Sequence, residues 1–454
     1  MKKGTEINGV IEYVDFPNKG VLFVEDEKVI IKGTLPGQKV RGVINKARKG
    51  KAEARLLEVE EKSAIETKTP TCPHFGICGG CTYQTIPYET QLELKSSQVK
   101  KLLDNVIEGE YEFEKPLASP KQWQYRNKME FSFGNEYKDG PITLGLHKKG
   151  SFYDIVPVCE CQIIHPDMRE ILKATTDYAR ESGLSFYHKM SKQGYFRHLL
   201  VRRAEKTGEI LVDLVTTTQA GPDLTVWVEM VKGLPCGEKI VGILHTVNDS
   251  AADAVIDQGT EILFGKGEFT EELLGLKFKI TPFSFFQTNS LGAEVLYSKA
   301  REYVGSTNEK VIFDLYSGTG TIGQLLAPVA KKVIGIEIIE EAVVAARENA
   351  AGNGLINCEF IAGDVLKKID EVEDKPDFIV LDPPREGINP KALGKILGYG
   401  VDNMVYISCK PSSLANDLVA IQAAGYKVKK VCCVDMFPGT VHVETVCLLS
   451  RKDK

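Results

Sequence analysis

The chain has 454 residues, enough for two to four domains at roughly 100 to 200 residues each. A charged fraction of 26% beside 43% hydrophobic residues is ordinary globular composition and excludes disorder along most of the length. The 57 basic and 62 acidic side chains leave a net charge of -5, which by itself gives no hint of nucleic acid. Eleven cysteines, an odd number, argue against a disulfide scaffold and suit a cytosolic protein that keeps thiols for metal or catalysis. The opening MKKGTEINGV lacks the apolar run of a signal peptide, and no stretch reaches the ~20 apolar residues of a membrane span, so a cytoplasmic location is expected.

Residues 1–60 alternate short apolar runs (GVIEYVD, GVLFVED, KVIIKG, QKVRGVINKA, ARLLEVEE) with Gly, Pro, Asn and Asp breaks, which predicts a small β-barrel. Between 39 and 55 stand Lys39, Arg41, Lys46, Arg48, Lys49, Lys51 and Arg55 against Glu53 alone. Such a stripe is either a solvated hairpin tip or a phosphate-binding face. Next, TPTCPHFGICGGCTYQ places Cys72, Cys78 and Cys81 as C-x5-C-x2-C, a spacing suited to zinc or to an iron-sulfur cluster. A helix is predicted from about Tyr88 to Leu103, then mainly β-structure from about 115 to 280 with one helix near 167–182. From 285 to 454, VIFDLYSG, VIGIEI, FIVLDPP and MVYISC each end in a turn before a helical pattern, the mark of a doubly wound α/β domain. Three domains follow, at 1–60, 61–284 and 285–454: a small barrel, a central mainly β region and a C-terminal Rossmann-like domain.

VIFDLYSGTGTIGQLL is a buried strand, a glycine turn and a helix start, with Gly318, Gly320 and Gly323 in G-x-G-x-x-G. Missing β-carbons let backbone amides approach a nucleotide-like ligand. Glu337 ends the next strand, where an acid can bind ribose hydroxyls, and Asp364 can accept from an adenine amine. NAD and S-adenosylmethionine both suit this loop; Asp314 decides between them, because a carboxylate repels a pyrophosphate and attracts a sulfonium.

LDPPREG places Asp382, and YISCKP places Cys409, at the carboxyl ends of successive strands, where ligands of open α/β sheets sit. Lys410 and Pro411 are expected to expose the thiol and lower its pKa. In VDMFPGTVHVETVCLL, Glu444 lies among apolar residues, so its pKa should rise toward the range of a general base; His442 reads as structural. A pyrimidine C5 is too weak a nucleophile to take a methyl group until a thiolate adds to C6. Cys409 as nucleophile, Asp382 at the N3/O4 edge and Glu444 as base for the C5 proton fill the three roles this chemistry needs.

These residues resemble the RNA uracil-5-methyltransferase family, in its branch acting on 23S ribosomal RNA, along nearly the whole chain. The barrel looks like the RNA-binding TRAM domain of that branch, WQYRNKMEFSFG resembles its Y-R-N-K segment, and SCKP and DMFPGTVHVETV look like its nucleophile and base motifs. By this resemblance Gln287 in FSFFQTN, Tyr316, Thr321, Glu337, Asp364 and Asp382 hold S-adenosylmethionine. It also supplies Cys161, after VPV, as fourth ligand with Cys72, Cys78 and Cys81, and implies a [4Fe-4S] cluster with structural zinc as the alternative. Lys410 departs from the Asn of many members, which leaves the nucleophile in place and the subgroup open. The expected activity is 5-methyluridine formation in 23S ribosomal RNA by a monomer. The alternatives are the transfer RNA enzyme, which usually lacks the barrel, and a non-catalytic iron-sulfur RNA-binding assembly factor. A cytosine-5 enzyme lacks the pairing of DPPR with the C-terminal Glu, and an NAD dehydrogenase is disfavoured by Asp314.

Overall fold

The computed structural model describes residues 1–48, 50–252 and 254–451. The first apolar runs form one six-stranded sheet. GVIEYVD, expected as one strand, is two, Glu6–Val10 and Tyr13–Asp15; at the break Ile11 turns inward and its amide bonds Gln38 O at 2.8 Å. The sheet curls so far that Ile7, Leu22, Val29, Ile31, Val40 and Ile44 share one core.

The basic stripe lies on the hairpin Lys39–Arg48 and Lys51–Glu61, and it is less one-sided than its sequence. Antiparallel pairing brings Glu61 to Lys39 at 2.8 Å, Glu58 to Arg41 at 2.9 Å and Glu53 to Lys46 at 3.6 Å. Arg48 and Lys51 face each other across the tip, so the cationic density moves there. Lys49 lies outside the described residues.

A seven-stranded sheet follows, in the order Ile155–Pro157, Ile142–His147, Lys128–Asn135, Phe196–Arg203, Ile210–Thr216, Ile240–Val247, Thr260–Gly265. The helices Pro166–Glu181 and Thr225–Lys232 bury Ile171, Leu172 and Trp227 in a core with the sheet residues Phe131, Phe133 and Val212.

The C-terminal sheet has eight strands, ordered Cys358–Ala362, Ala330–Glu337, Thr307–Leu315, Phe378–Leu381, Asn403–Ser408, Glu444–Arg451, Tyr426–Val434, Glu112–Phe113. The first five are parallel, and Glu444–Arg451 returns antiparallel. Successive residues of its central strands enter opposite cores: Phe313, Leu315, Ile379 and Leu381 one, Ile312, Val380, Val405 and Ile407 the other. Helices therefore cover both faces, as a near-continuous apolar run in a parallel strand requires. The helix Tyr88–Asp104 and the strand Glu112–Phe113 fall within the 61–284 stretch of the sequence yet join this C-terminal layer, through Val99 and Leu103 in its core and pairing with Lys430 and Val431. Among the described residues no helix is long and apolar enough to cross a membrane.

Candidate active site

Strand register brings three parallel strand ends and the start of the antiparallel strand together. Leu315 pairs with Leu381, Leu381 with Tyr406, and Ser408 with Thr445. The next residues along, Tyr316, Asp382 and Cys409, thus emerge beside one another, with Glu444 opposite. Glu444 is 4% exposed. Burial, then Asp382, pushes its carboxyl up to about 8, with Arg385 opposing. Asp382 rises to about 7 through burial and Asp314.

The expected depression of the Cys409 thiol is corrected. Burial, then the Glu444 and Asp382 carboxyls, push it up to about 11, and the opposing cation is Arg385. Lys410 is exposed at the start of the helix Pro411–Ala423, where water screens its charge. Arg385, which motif reading left without a role, is the cation that acts on both Cys409 and Glu444. Tyr297, on the helix Ser290–Val304, was missed too: it is buried and hydrogen-bonded to Gln287, with Asp382 and Glu444 near enough to raise its pKa further. His442 is held below the ordinary imidazole value by burial and then by Arg385.

The glycine turn has the predicted form. Gly318 and Gly320 have φ of 54° and 69°, and a β-carbon on Gly320 would lie 2.5 Å from the Phe360 ring. Glu337 accepts from the Gly318 and Ile339 amides at 2.9 and 3.0 Å, which aims its carboxylate at the turn. Asp314 Oδ2 accepts from the Gly323 amide at 2.8 Å, so this acid first fastens the helix to its strand. Among the described residues its Oδ1 and Ser317 Oγ, both buried, have no hydrogen-bond partner. Thr321 is buried at the helix start, Tyr316 sits at φ 67°, and Asp364 caps the next helix through the Leu366 amide at 2.9 Å. Phe285 and Ile338 are 68% and 63% accessible; the Phe285 ring comes within 4.0 Å of a β-carbon built on Gly318, and Ile338 directly follows Glu337. Open apolar faces, aimed carboxylates and an orphaned acceptor fit a planar, cationic nucleoside such as S-adenosylmethionine.

Cys72, Cys78, Cys81 and Cys161 line one small cavity, all as free thiols. Cys159 instead has Asp177, Lys173 and Arg180 as its charged neighbours. Among the described residues no three His, Cys, Asp or Glu side chains gather as ligands of one metal ion. Burial pushes Cys81 up to about 11 and Cys161 to about 12, a cost that positive metal centres reverse. Four thiols lining one cavity are a donor set that a metal group can take as thiolates.

The same cysteine loop buttresses the loop that leads to Glu444. Gly439 O accepts from the Thr82 and Tyr83 amides at 2.7 and 2.9 Å, and Tyr125 donates to Pro438 O at 3.0 Å. Lys95 Nζ reaches Asp435 Oδ1 at 2.8 Å and Phe437 O at 3.1 Å, with both ion-pair side chains at most 2% exposed. Removing one partner of such a pair leaves a buried charge. Lys95→Met should destabilise the protein by about 3–5 kcal/mol in denaturant unfolding, and Lys95→Met/Asp435→Asn should recover part of that loss.

Comparison with known proteins agrees with this geometry. The family described as tRNA (Uracil-5-)-methyltransferase matches residues 258–452. An uncharacterized RNA methyltransferase of Caldanaerobacter subterraneus is 50% identical over 99% of this chain and 100% of its own, and one of Clostridium tetani is 49% identical over 100% and 99%. The crystal structure of the Pyrococcus abyssi tRNA (uracil-54, C5)-methyltransferase with S-adenosyl-L-homocysteine has a TM-score of 0.76 at 27% identity, covering 98% of this chain and 100% of that one. That coverage takes in the N-terminal sheet, so the presence of this domain does not separate ribosomal from transfer RNA enzymes. The chain is an RNA methyltransferase and belongs to the RNA (uracil-5-)-methyltransferase family.

Proposed function

We propose that the protein methylates C5 of uridine in RNA through a covalent adduct between Cys409 and the pyrimidine C6, with 23S ribosomal RNA as its substrate. The observation that carries this reading is the meeting of Cys409, Asp382 and Glu444 at adjacent strand ends beside the glycine turn. S-adenosylmethionine, held by Gln287, Tyr316, Thr321, Glu337, Asp364 and Asp382, supplies an electrophilic methyl group. Cys409 gives up its proton to solvent and its thiolate adds to C6, leaving negative charge over C5 and O4; C5 then takes the methyl group as the donor's bond between methyl carbon and sulfur breaks. Asp382, raised to about 7, donates in its protonated form at the N3/O4 edge. Glu444 in its ionised form takes the C5 proton; the electron pair rebuilds the C5–C6 double bond and expels the thiolate.

Nucleoside mass spectrometry of transcribed 23S and transfer RNA incubated with protein and labelled S-adenosylmethionine tests the reading. Label in 5-methyluridine of 23S RNA is expected, and label in another nucleoside would overturn it. Transfer RNA is the second reading, favoured by the likeness to the Pyrococcus enzyme across nearly the whole chain; label confined to transfer RNA would establish it.

Two further assignments complete the proposal. The N-terminal sheet acts as a TRAM-like RNA-binding domain through its hairpin tip. Neutralising Lys46, Arg48, Lys49 and Lys51 together should flatten the dependence of RNA affinity on salt, by about 0.7–0.9 in slope for each phosphate that no longer meets a cation. An unchanged slope would reduce the tip to a solvated surface. Cys72, Cys78, Cys81 and Cys161 hold a [4Fe-4S] cluster that fixes the cysteine loop, and methyl transfer needs no electron from it. The protein acts as a cytoplasmic monomer.

A further inference from the structure

Two loops at one end of the central sheet share an unusual composition. Residues 147–153 read HKKGSFY and residues 187–192 read YHKMSK, each with rings and cations and no acid. The fold brings them together around a cavity of about 160 Å³. Phe152, Tyr153 and Met190 stand at its rim, 84%, 72% and 89% exposed. Large apolar side chains clustered and left in water mark a contact surface. The cavity wall is rigid: the Arg197 guanidinium lies 4.4 Å from the Tyr187 ring and donates to the carbonyls of Asn248, Ser250 and Ala252 at 2.6–2.7 Å. Phe186 and His188 already stack, with centroids 4.1 Å apart. The first loop is pinned to the cysteine loop by Gly79 N to His147 O at 3.2 Å and Lys149 N to Ile77 O at 2.8 Å.

This cavity and the candidate active site lie along one face of the sheet. His198 pairs with Ser132, Leu200 with Glu130 and Arg202 with Lys128, and alternate residues share a face. At the far end Arg202 Nε bonds Pro282 O at 2.9 Å and Asn127 bonds Gln287 O at 2.9 Å. From Asn127 to Asn135 the strand covers about 26 Å at 3.3 Å per residue, a path that a few nucleotides of RNA can span.

We propose that the cavity is a second RNA subsite, which takes an unpaired nucleobase flanking the target uridine. The base stacks on Phe152 or Tyr153 at the cavity rim, and Lys189 in its wall meets a neighbouring phosphate. The inference rests on RNA being the substrate. Rings and cations on the same two loops suit the bases and phosphates of a single strand. An apolar peptide would leave the lysines unused, and an acidic one would leave the ring faces open.

The test is fluorescence anisotropy with labelled rU12 and rA12 and with the 23S transcript, comparing the full-length protein with Phe152→Ala/Tyr153→Ala. Both side chains are exposed, so the circular dichroism spectrum and S-adenosylhomocysteine affinity should be unchanged. Oligonucleotide affinity should fall at least about 10-fold, and 5-iodouridine in rU12 should photocrosslink to residue 152 or 153. Equal affinity of variant and wild type, or a wild type that binds the transcript and neither oligonucleotide, would overturn the subsite alone. A wild type that binds none of the three RNAs would overturn the RNA reading and the subsite with it.

Discussion

Cys409→Ala protein should lose methyl transfer by at least about 10⁴-fold, the scale on which a removed nucleophile silences an enzyme, while binding S-adenosylhomocysteine as the wild type does. The thiol stands one strand beyond Asp382 from the cofactor turn and, among the described residues, lends it no hydrogen bond, so affinity and turnover separate. RNA carrying 5-fluorouridine sharpens the measurement, because fluorine at C5 cannot leave as a proton and the adduct persists. Wild-type protein should give a denaturant-stable complex of protein with RNA, and Cys409→Ala none. An accepted RNA that yields no complex with wild type would refute covalent catalysis.

The environment of the thiol adds a pH signature with a definite sign. In the free protein burial and two carboxyls hold the Cys409 proton up to about 11, so alkylation by iodoacetamide should be slow at pH 7 and accelerate tenfold per pH unit below that value. Glu444, pushed up to about 8, is mostly neutral at pH 7 and charged at pH 9. Glu444→Gln should therefore leave alkylation at pH 7 unchanged and speed it at pH 9, where the wild type carries a repelling carboxylate. The raised carboxyls also bear on stability. A group that binds its proton more tightly when folded contributes stability below its unfolded pKa and loses it as pH rises through the folded value. The Asp382 and Glu444 contributions should fade from about pH 4, the ordinary carboxylate range, to about 7 and 8.

Much of this was legible because burial and turn chemistry are local. The helix expected near 167–182 and observed at Pro166–Glu181 follows from apolar spacing; the helix expected at about 88–103 and observed at Tyr88–Asp104 buries Gln91, Lys95, Ser96 and Gln98 beside Val99 and Leu103. The strands ending at Leu315, Leu381 and Ser408 follow from apolar runs broken by turns. What sequence spacing withholds is which loops meet. Lys95 and Asp435 are 340 residues apart and form a buried pair; Glu58 and Glu61 neutralise Arg41 and Lys39 only because the hairpin folds back. The Cys409 environment was misjudged for the same reason. Lys410 is its neighbour in sequence, and Glu444, Asp382 and Arg385 are its neighbours in space.

Glu444→Gln separates the steps after the adduct. Glutamine keeps the size and hydrogen-bonding capacity of the side chain at a site 4% exposed, and it cannot take a proton. Thiolate addition and methyl transfer precede loss of the C5 proton, so both should survive, and the reaction should stop with RNA methylated and still bonded to sulfur. Turnover should fall by about 10²–10⁴-fold, the contribution of a general base. With natural uridine and labelled S-adenosylmethionine, labelled methyl groups should accumulate in a denaturant-stable complex of protein and RNA, which the wild type forms only in passing. In the wild type, release from the adduct should quicken as pH rises toward about 8, where Glu444 ionises, and the variant should lose that dependence. A variant that releases 5-methyluridine at the wild-type rate would transfer the base role to another group, with His442, kept neutral by burial and Arg385, the nearest candidate by sequence and charge.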